Sequence, residues 1–247
     1  MKRTTIFSCT LLLFLSLITA AVRADSYTGT WSIEPGDKPG YVQLDMRWHG
    51  TDRNGEHSWE NGEDVPAPQV HDGAFAITED AGVFHAQGTF SGQTGGGTWT
   101  FVPNPQFGAQ LERRGLSAPS DDDVFRLAMA HFQLRSLDAL LAAGFARPSV
   151  EDLVRLGEHG VTDRYIAATK GLDFQPKTVE SLIRLRDHGV STAYMHALWS
   201  LGYHPSAQEL VRLRDHGVTA AFIQRLRTHG YTRLTADDLI RLRDHGF

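Results

Sequence analysis

Apolar positions change their period once along this chain, close to residue 104. Upstream they alternate. In Tyr41-Val-Gln-Leu-Asp-Met-Arg-Trp48 the residues Val42, Leu44, Met46 and Trp48 fall on one face, the period of a half-buried strand. Thr28 to Ile33, around Trp31, reads as a partner strand. Gly82 to Phe90 and Thr98 to Val102 read as two more, with the glycine-rich Ser91 to Gly97 as their hairpin connection. About five or six short strands over residues 26–103 predict one small antiparallel sheet or an open barrel. The polar, acidic, turn-rich stretch from Gly50 to Pro68 reads as a long mobile loop.

From Asn104-Pro105 onward the spacing is helical, with asparagine suited to the N-cap and proline to the first helical position. A Leu-x-Arg-Leu core then returns at residues 124, 153, 182, 210 and 239, its first copy being Val124-Phe-Arg-Leu127, and in the last three copies it runs on into Arg-Asp-His-Gly. Each core follows a Ser or Thr cap at Ser120, Ser149, Thr178, Ser206 or Thr235, so the caps lie 29, 29, 28 and 29 residues apart. An acidic residue three places after the cap completes a capping box at Asp123, Asp152, Glu209 and Asp238, with Ser181 the departure. The helix stops at Gly160, Gly189, Gly217 or Gly246, and a second begins at Thr162, Ser191 or Thr219. His131 replaces the first glycine in the first copy, and Asp173 the later one in the second.

A repeat of this length buries no core alone and predicts a stacked array. The expected fold is therefore α+β: a small antiparallel β-domain over 25–103, then an α-solenoid of two-helix repeats over 104–247. The solenoid divides into a half repeat at 104–119, four repeats from 120, 149, 178 and 206, and a half repeat at 235–247, giving about ten short helices. Phe107, Leu111, Gly115 and Leu116 match Phe222, Leu226, Gly230 and Tyr231, which identifies 104–119 as half of a unit.

Residues 1–24 have the layout of a secretory signal peptide, with Lys2 and Arg3 ahead of an apolar run from Ile6 to Ile18 and a cut expected before Asp25. The run is shorter than the roughly 20 residues that span a bilayer. The expectation is a periplasmic or secreted protein with no stable membrane insertion after cleavage. Cys9, the only cysteine, leaves with the signal, so the mature chain has neither disulfides nor thiol catalysis. Charge divides unevenly: residues 25–103 carry 12 acidic and 3 basic side chains, and 104–247 carry 17 and 18. This split supports two domains, and export with an acidic balance argues against nucleic acid.

Arg126, Arg155, Arg184, Arg212 and Arg241 recur at one place in every copy and form a candidate binding stripe for carboxylates, anionic glycans or phosphate. Glu158, Asp187, Asp215 and Asp244 stand three residues later, a spacing at which each pair can meet on its own helix. The competing reading makes these residues repeat architecture, with His159, His188, His216 and His245 placed favourably against the negative end of each helix dipole. Asp52-x-Asn54-x-Glu56 has alternating oxygen ligands but lacks the later bidentate glutamate of a calcium loop. His49, His57, His71 and His85 have no metal-ligand spacing. Neither HExxH, G-x-S-x-G, a phosphate loop nor a dinucleotide fingerprint is present, so no catalytic, cofactor or metal residue is assigned.

The pattern Leu-x-x-Leu-Arg-Asp-His-Gly-Val-Thr-x-x-Phe-Ile-x-x-Leu-x-x-x-Gly-Tyr resembles the repeats in extracytoplasmic segments of BlaR/MecR-type membrane metallopeptidase sensors and related exported bacterial proteins. The resemblance covers residues 104–247. Glu79 to Phe90 and Gly96 to Pro105 are similar to the β-region that precedes such repeats. It implies a sensing or docking part made without the peptidase half. The expected function is thus an exported, non-enzymatic binding or scaffold module with a protein or anionic envelope component as partner. The alternatives are an envelope-acting hydrolase with its site in the β-domain, and a self-associating structural protein.

Overall fold

The computed structural model describes residues 27–52, 55–66, 73–170 and 178–246. The expected signal peptide at 1–24 and Asp173 lie outside these residues. The chain forms an antiparallel sheet followed by helices, an α+β fold. Six strands, β1 (Thr28–Pro35), β2 (Tyr41–Asp52), β3 (Gly55–Pro66), β4 (Ala74–Glu79), β5 (Gly82–Ser91) and β6 (Thr94–Pro103), pair in the order β3-β2-β1-β6-β5-β4. Every neighbouring pair is antiparallel.

The alternation of β2 holds: Val42, Leu44, Met46 and Trp48 are all buried. Trp31, Ile33, Phe84, Trp99 and Phe101 from the central strands are buried as well. Phe125 from the second helix enters this set, stacking on Tyr27 at 4.0 Å and meeting Trp48 edge-on at 5.1 Å. Sheet and helices therefore share one apolar core.

Two expectations for the sheet are corrected. Gly50 to Pro68 is not a long loop, because β3 occupies most of it and pairs with β2 from Asp52↔Gly55 to Tyr41↔Pro66. The neighbouring strand supplies the backbone partners that a polar sequence does not advertise. The connection between β5 and β6 is also shorter than Ser91 to Gly97, since Gly95, Gly96 and Gly97 belong to β6 and pair with Phe90, Thr89 and Gly88. These glycines serve close approach. A Cβ at Gly88 would lie 2.6 Å from the Trp31 ring, and one at Gly97 would lie 2.0 Å from the Gln87 carbonyl oxygen. Without side chains there, the Trp31 indole reaches across to donate from Nε1 to the Gln87 carbonyl at 3.1 Å.

Ten helices follow among the described residues: α1 (Phe107–Arg113), α2 (Asp121–Met129), α3 (Leu134–Ala142), α4 (Val150–Glu158), α5 (Asp163–Ala168), α6 (Val179–Asp187), α7 (Thr192–Ser200), α8 (Ala207–Asp215), α9 (Ala220–Thr228) and α10 (Ala236–Asp244). The Ser and Thr caps act as expected. Ser120, Ser149, Ser206 and Thr235 each complete a capping box, and Thr178 accepts from the Ser181 N–H without one. The start of α1 differs from expectation. Asn104 lies two residues outside its Gln106 N-cap, and the Asn104 Oδ1 accepts from the Gln106 N–H at 3.0 Å.

Helices pack with the next but one along the chain: α2 with α4, α4 with α6, α6 with α8, α8 with α10, and on the second row α3 with α5 and α7 with α9. Apolar residues at matching places, such as Leu153, Leu182, Leu210 and Leu239, are all fully buried.

Candidate functional site

Three of the five recurring arginines meet carboxylates across repeats. Arg155 Nη2 donates to Glu180 Oε2 at 2.6 Å, and Arg212 Nη2 donates to Asp237 Oδ1 at 2.6 Å. Arg126 Nη2 lies 2.7 Å from Glu151 Oε2. In each pair the carboxylate belongs to the second residue of the next helix in the row, where an acidic side chain also suits the helix dipole. Arg184 faces a repeat that carries Gln208 at this place and makes no ion pair among the described residues. Arg241 reaches only Asp238 of its own helix, at 3.1 Å.

The expected pairing of each arginine with the acidic residue three places later does not form. Three of those carboxylates, Asp187, Asp215 and Asp244, take the histidine of the preceding repeat instead. His159 Nδ1 is 2.5 Å from Asp187 Oδ1, His188 Nδ1 is 2.7 Å from Asp215 Oδ1, and His216 Nδ1 is 2.9 Å from Asp244 Oδ1. The helix dipole disfavours aspartate at these C-terminal positions, and the neighbouring imidazole offsets that cost.

A third ladder was not apparent in the sequence. Arg186, Arg214 and Arg243 lie over the rings of Tyr165, Tyr194 and Phe222, at 5.1, 5.6 and 5.6 Å. Arg243 Nε also donates to the Gly217 carbonyl at 3.2 Å, covering the C-terminal turn of α8. In the opposite direction, the Tyr165 hydroxyl donates to the Val190 carbonyl at 2.8 Å, and Tyr194 to that of Val218 at 2.7 Å. Burial pushes both phenols up to about 12, against the nearby arginine charge. The aromatic at the start of each second helix was legible; its cationic lid was not, because the arginine comes from another repeat.

The first joint is built differently. Ala130 stands where later repeats carry histidine, and Gly157 where they carry the stacking arginine. A Cβ on Gly157 would lie 2.2 Å from the Ala130 carbonyl oxygen, so α4 closes tightly on the end of α2. Glu158 then has no imidazole to meet, and burial holds its carboxyl above the ordinary range despite the opposing pull of Arg126.

The sheet fastens to this first joint through the β4–β5 turn. His131 adopts φ +53°, the left-handed backbone that Gly189 fills at +66°, and its Nδ1 meets Glu79 Oε1 at 2.7 Å. Asp80 Oδ2 accepts from the Leu134 N–H at 2.7 Å, and Asn104 donates to the Asp80 carbonyl at 2.9 Å. Helix α3 has no side-chain cap from its own N-cap residue, Gln133; Asp80 takes that role.

His49 and His85 are exposed on separate strands, while His71 lies outside the described residues. Asp52 and Glu56 fall on the two paired arms of the β2–β3 hairpin, opposite Gly55 and Thr51. Among the described residues no group of three or more His, Cys, Asp or Glu is placed to hold a metal ion. No described helix is long and apolar enough to cross a membrane.

The class this defines is an α+β protein whose helices bind one another through recurring ion pairs and arginine–aromatic stacks. Compared with known protein families, curated proteins and solved structures, the chain has no match in any of the three.

Proposed function

We propose that this chain is an exported, non-enzymatic binding or scaffold module whose helices form an α-solenoid of two-helix repeats, with a protein partner at the bacterial envelope. The observation that carries this reading is the recurrence of one contact set between successive repeats. His159–Asp187, His188–Asp215 and His216–Asp244 span 28, 27 and 28 residues, and Arg155–Glu180 and Arg212–Asp237 each span 25. Recurrence at a fixed pitch is what stacking of equivalent units produces, and stacked units present extended surfaces suited to macromolecules. The signal-peptide layout and the resemblance to sensor repeats support export and an envelope role. Three arginines of the stripe already hold carboxylates of the next repeat, which favours a protein over a diffuse anionic polymer as partner.

Photo-crosslinkers at exposed helix positions of the full chain, used in native envelope preparations, test the reading. Specific adducts from the helical part support it. The opposite result is an absence of adducts together with hydrolase turnover that is abolished by substitutions in the sheet; that would replace it with the enzyme reading.

A further inference from the structure

Two joints between one helix and the next but one, α4 to α6 and α8 to α10, share one chemical form. The earlier helix offers an arginine and, four residues on, a histidine. The later helix answers with a carboxylate at its second residue and another seven residues on, as Glu180 and Asp187 do for Arg155 and His159. Asp237 and Asp244 do the same for Arg212 and His216. Helix α10 repeats the offering with Arg241 and His245. Arg241 is 69% exposed and holds only its own Asp238. His245 is exposed and has no partner among the described residues. Both line a groove of about 270 Å³ whose apolar lining comes from Tyr231, Leu234 and Leu242 and which also holds the Asp238 carboxylate that pairs with Arg241.

We infer that this face of α10 docks a helical segment of a partner protein with two carboxylates seven residues apart and an apolar ridge between them. The assignment rests on charge complementarity. The Arg241 guanidinium and the His245 imidazole repeat the spacing that two internal joints fill with acidic side chains, and the groove offers the apolar middle that those joints bury. The inference deepens the binding-module reading and rests on it, naming where the module binds and what it recognises.

The test uses the full chain and a helix-stabilised peptide copying residues 178–188, the segment that Arg155 and His159 hold. Titration by fluorescence anisotropy is expected to show binding, with an affinity in the range tighter than about 1 mM. Changing Glu180→Gln and Asp187→Asn in the peptide, or Arg241→Gln with His245→Ala in the protein, should each weaken it about tenfold. Combining the two sets should add little further loss, because they remove the same contacts. Circular dichroism checks that the protein variant keeps its fold. Absent binding, or binding indifferent to both sets of changes, overturns the inference. Concentration-dependent self-association by light scattering, lost in Arg241→Gln, also overturns it and makes a second copy the occupant. The broader reading is judged separately: if it holds while the docking site fails, crosslinks persist at helix positions away from α10.

Discussion

Asp80, in the β4–β5 turn, accepts a hydrogen bond from the backbone N–H of Leu134 at 2.7 Å and so caps a helix 54 residues further along the chain. The same turn holds His131 through Glu79 and Asn104 through its own backbone, so the sheet and the first helices are locked by one short segment. Asp80→Ala is expected to cost about 1 kcal/mol, the usual worth of a helix cap. Hydrogen exchange should show faster opening at the first turn of α3, with the later helices unaffected.

The Arg155–Glu180 pair should show a coupling of about 0.2–1 kcal/mol in a double-mutant cycle, because both side chains are substantially exposed. Raising the salt concentration should reduce it. Unchanged melting of Arg155→Gln, together with a large loss of partner binding, would assign the arginine to a ligand instead of the joint.

Gly157→Ala sets two effects against each other. Alanine is favoured over glycine inside a helix by about 1 kcal/mol. The new methyl group would meet the Ala130 carbonyl at 2.2 Å, and overpacking against backbone costs about 1–3 kcal/mol. The clash should win, and a lower denaturation midpoint with unchanged slope is the expected readout.

Tyr165 and Tyr194 donate to backbone carbonyls in the next repeat, and each phenol is pushed up to about 12 from an ordinary 10.0. The unfolded phenols ionise first as alkali is added. Their contribution to stability is therefore full below pH 10.0 and is lost as the pH rises through about 12. Spectrophotometric titration of the folded chain should lose its most alkaline step in the Tyr165→Phe, Tyr194→Phe double variant. Each lost hydrogen bond is expected to cost about 1 kcal/mol at neutral pH.

Glu158 gives the opposite design lesson. Burial raises its carboxyl from the ordinary 4.5, so the folded chain holds that proton more tightly than the unfolded one. Its contribution favours folding below pH 4.5 and is lost as the pH rises through the raised value. Glu158 is nonetheless exposed to solvent, so Glu158→Gln should raise the melting temperature at pH 7 only slightly and leave it nearly unchanged in acid. A lower melting temperature at pH 7 would show that attraction to Arg126 outweighs burial.

Local signals were legible and remote ones were not. Ser149 and Asp152 stand three residues apart and cap their helix as the spacing requires. Val42 to Trp48 alternate because one face of β2 is buried, and that too can be read directly. Gly55–Pro66 carries too little apolar alternation to announce a strand; pairing with β2 decides it. The arginine–carboxylate spacing of three allows contacts within a helix, whereas the packing of α4 on α6 brings a carboxylate 25 residues away into reach. Asp80 left no trace near α3, since nothing in residues 130–134 names the acceptor of the Leu134 N–H.

The phenolic hydroxyl of Tyr194 closes on Val218, and the imidazole of His188 on Asp215, so each unit keeps part of its bonding in its successor. Shortening the chain is therefore felt backwards. A truncation before residue 206 would strip Tyr194 and His188 of their partners while leaving both in place, and the damage would exceed the share of the segment removed.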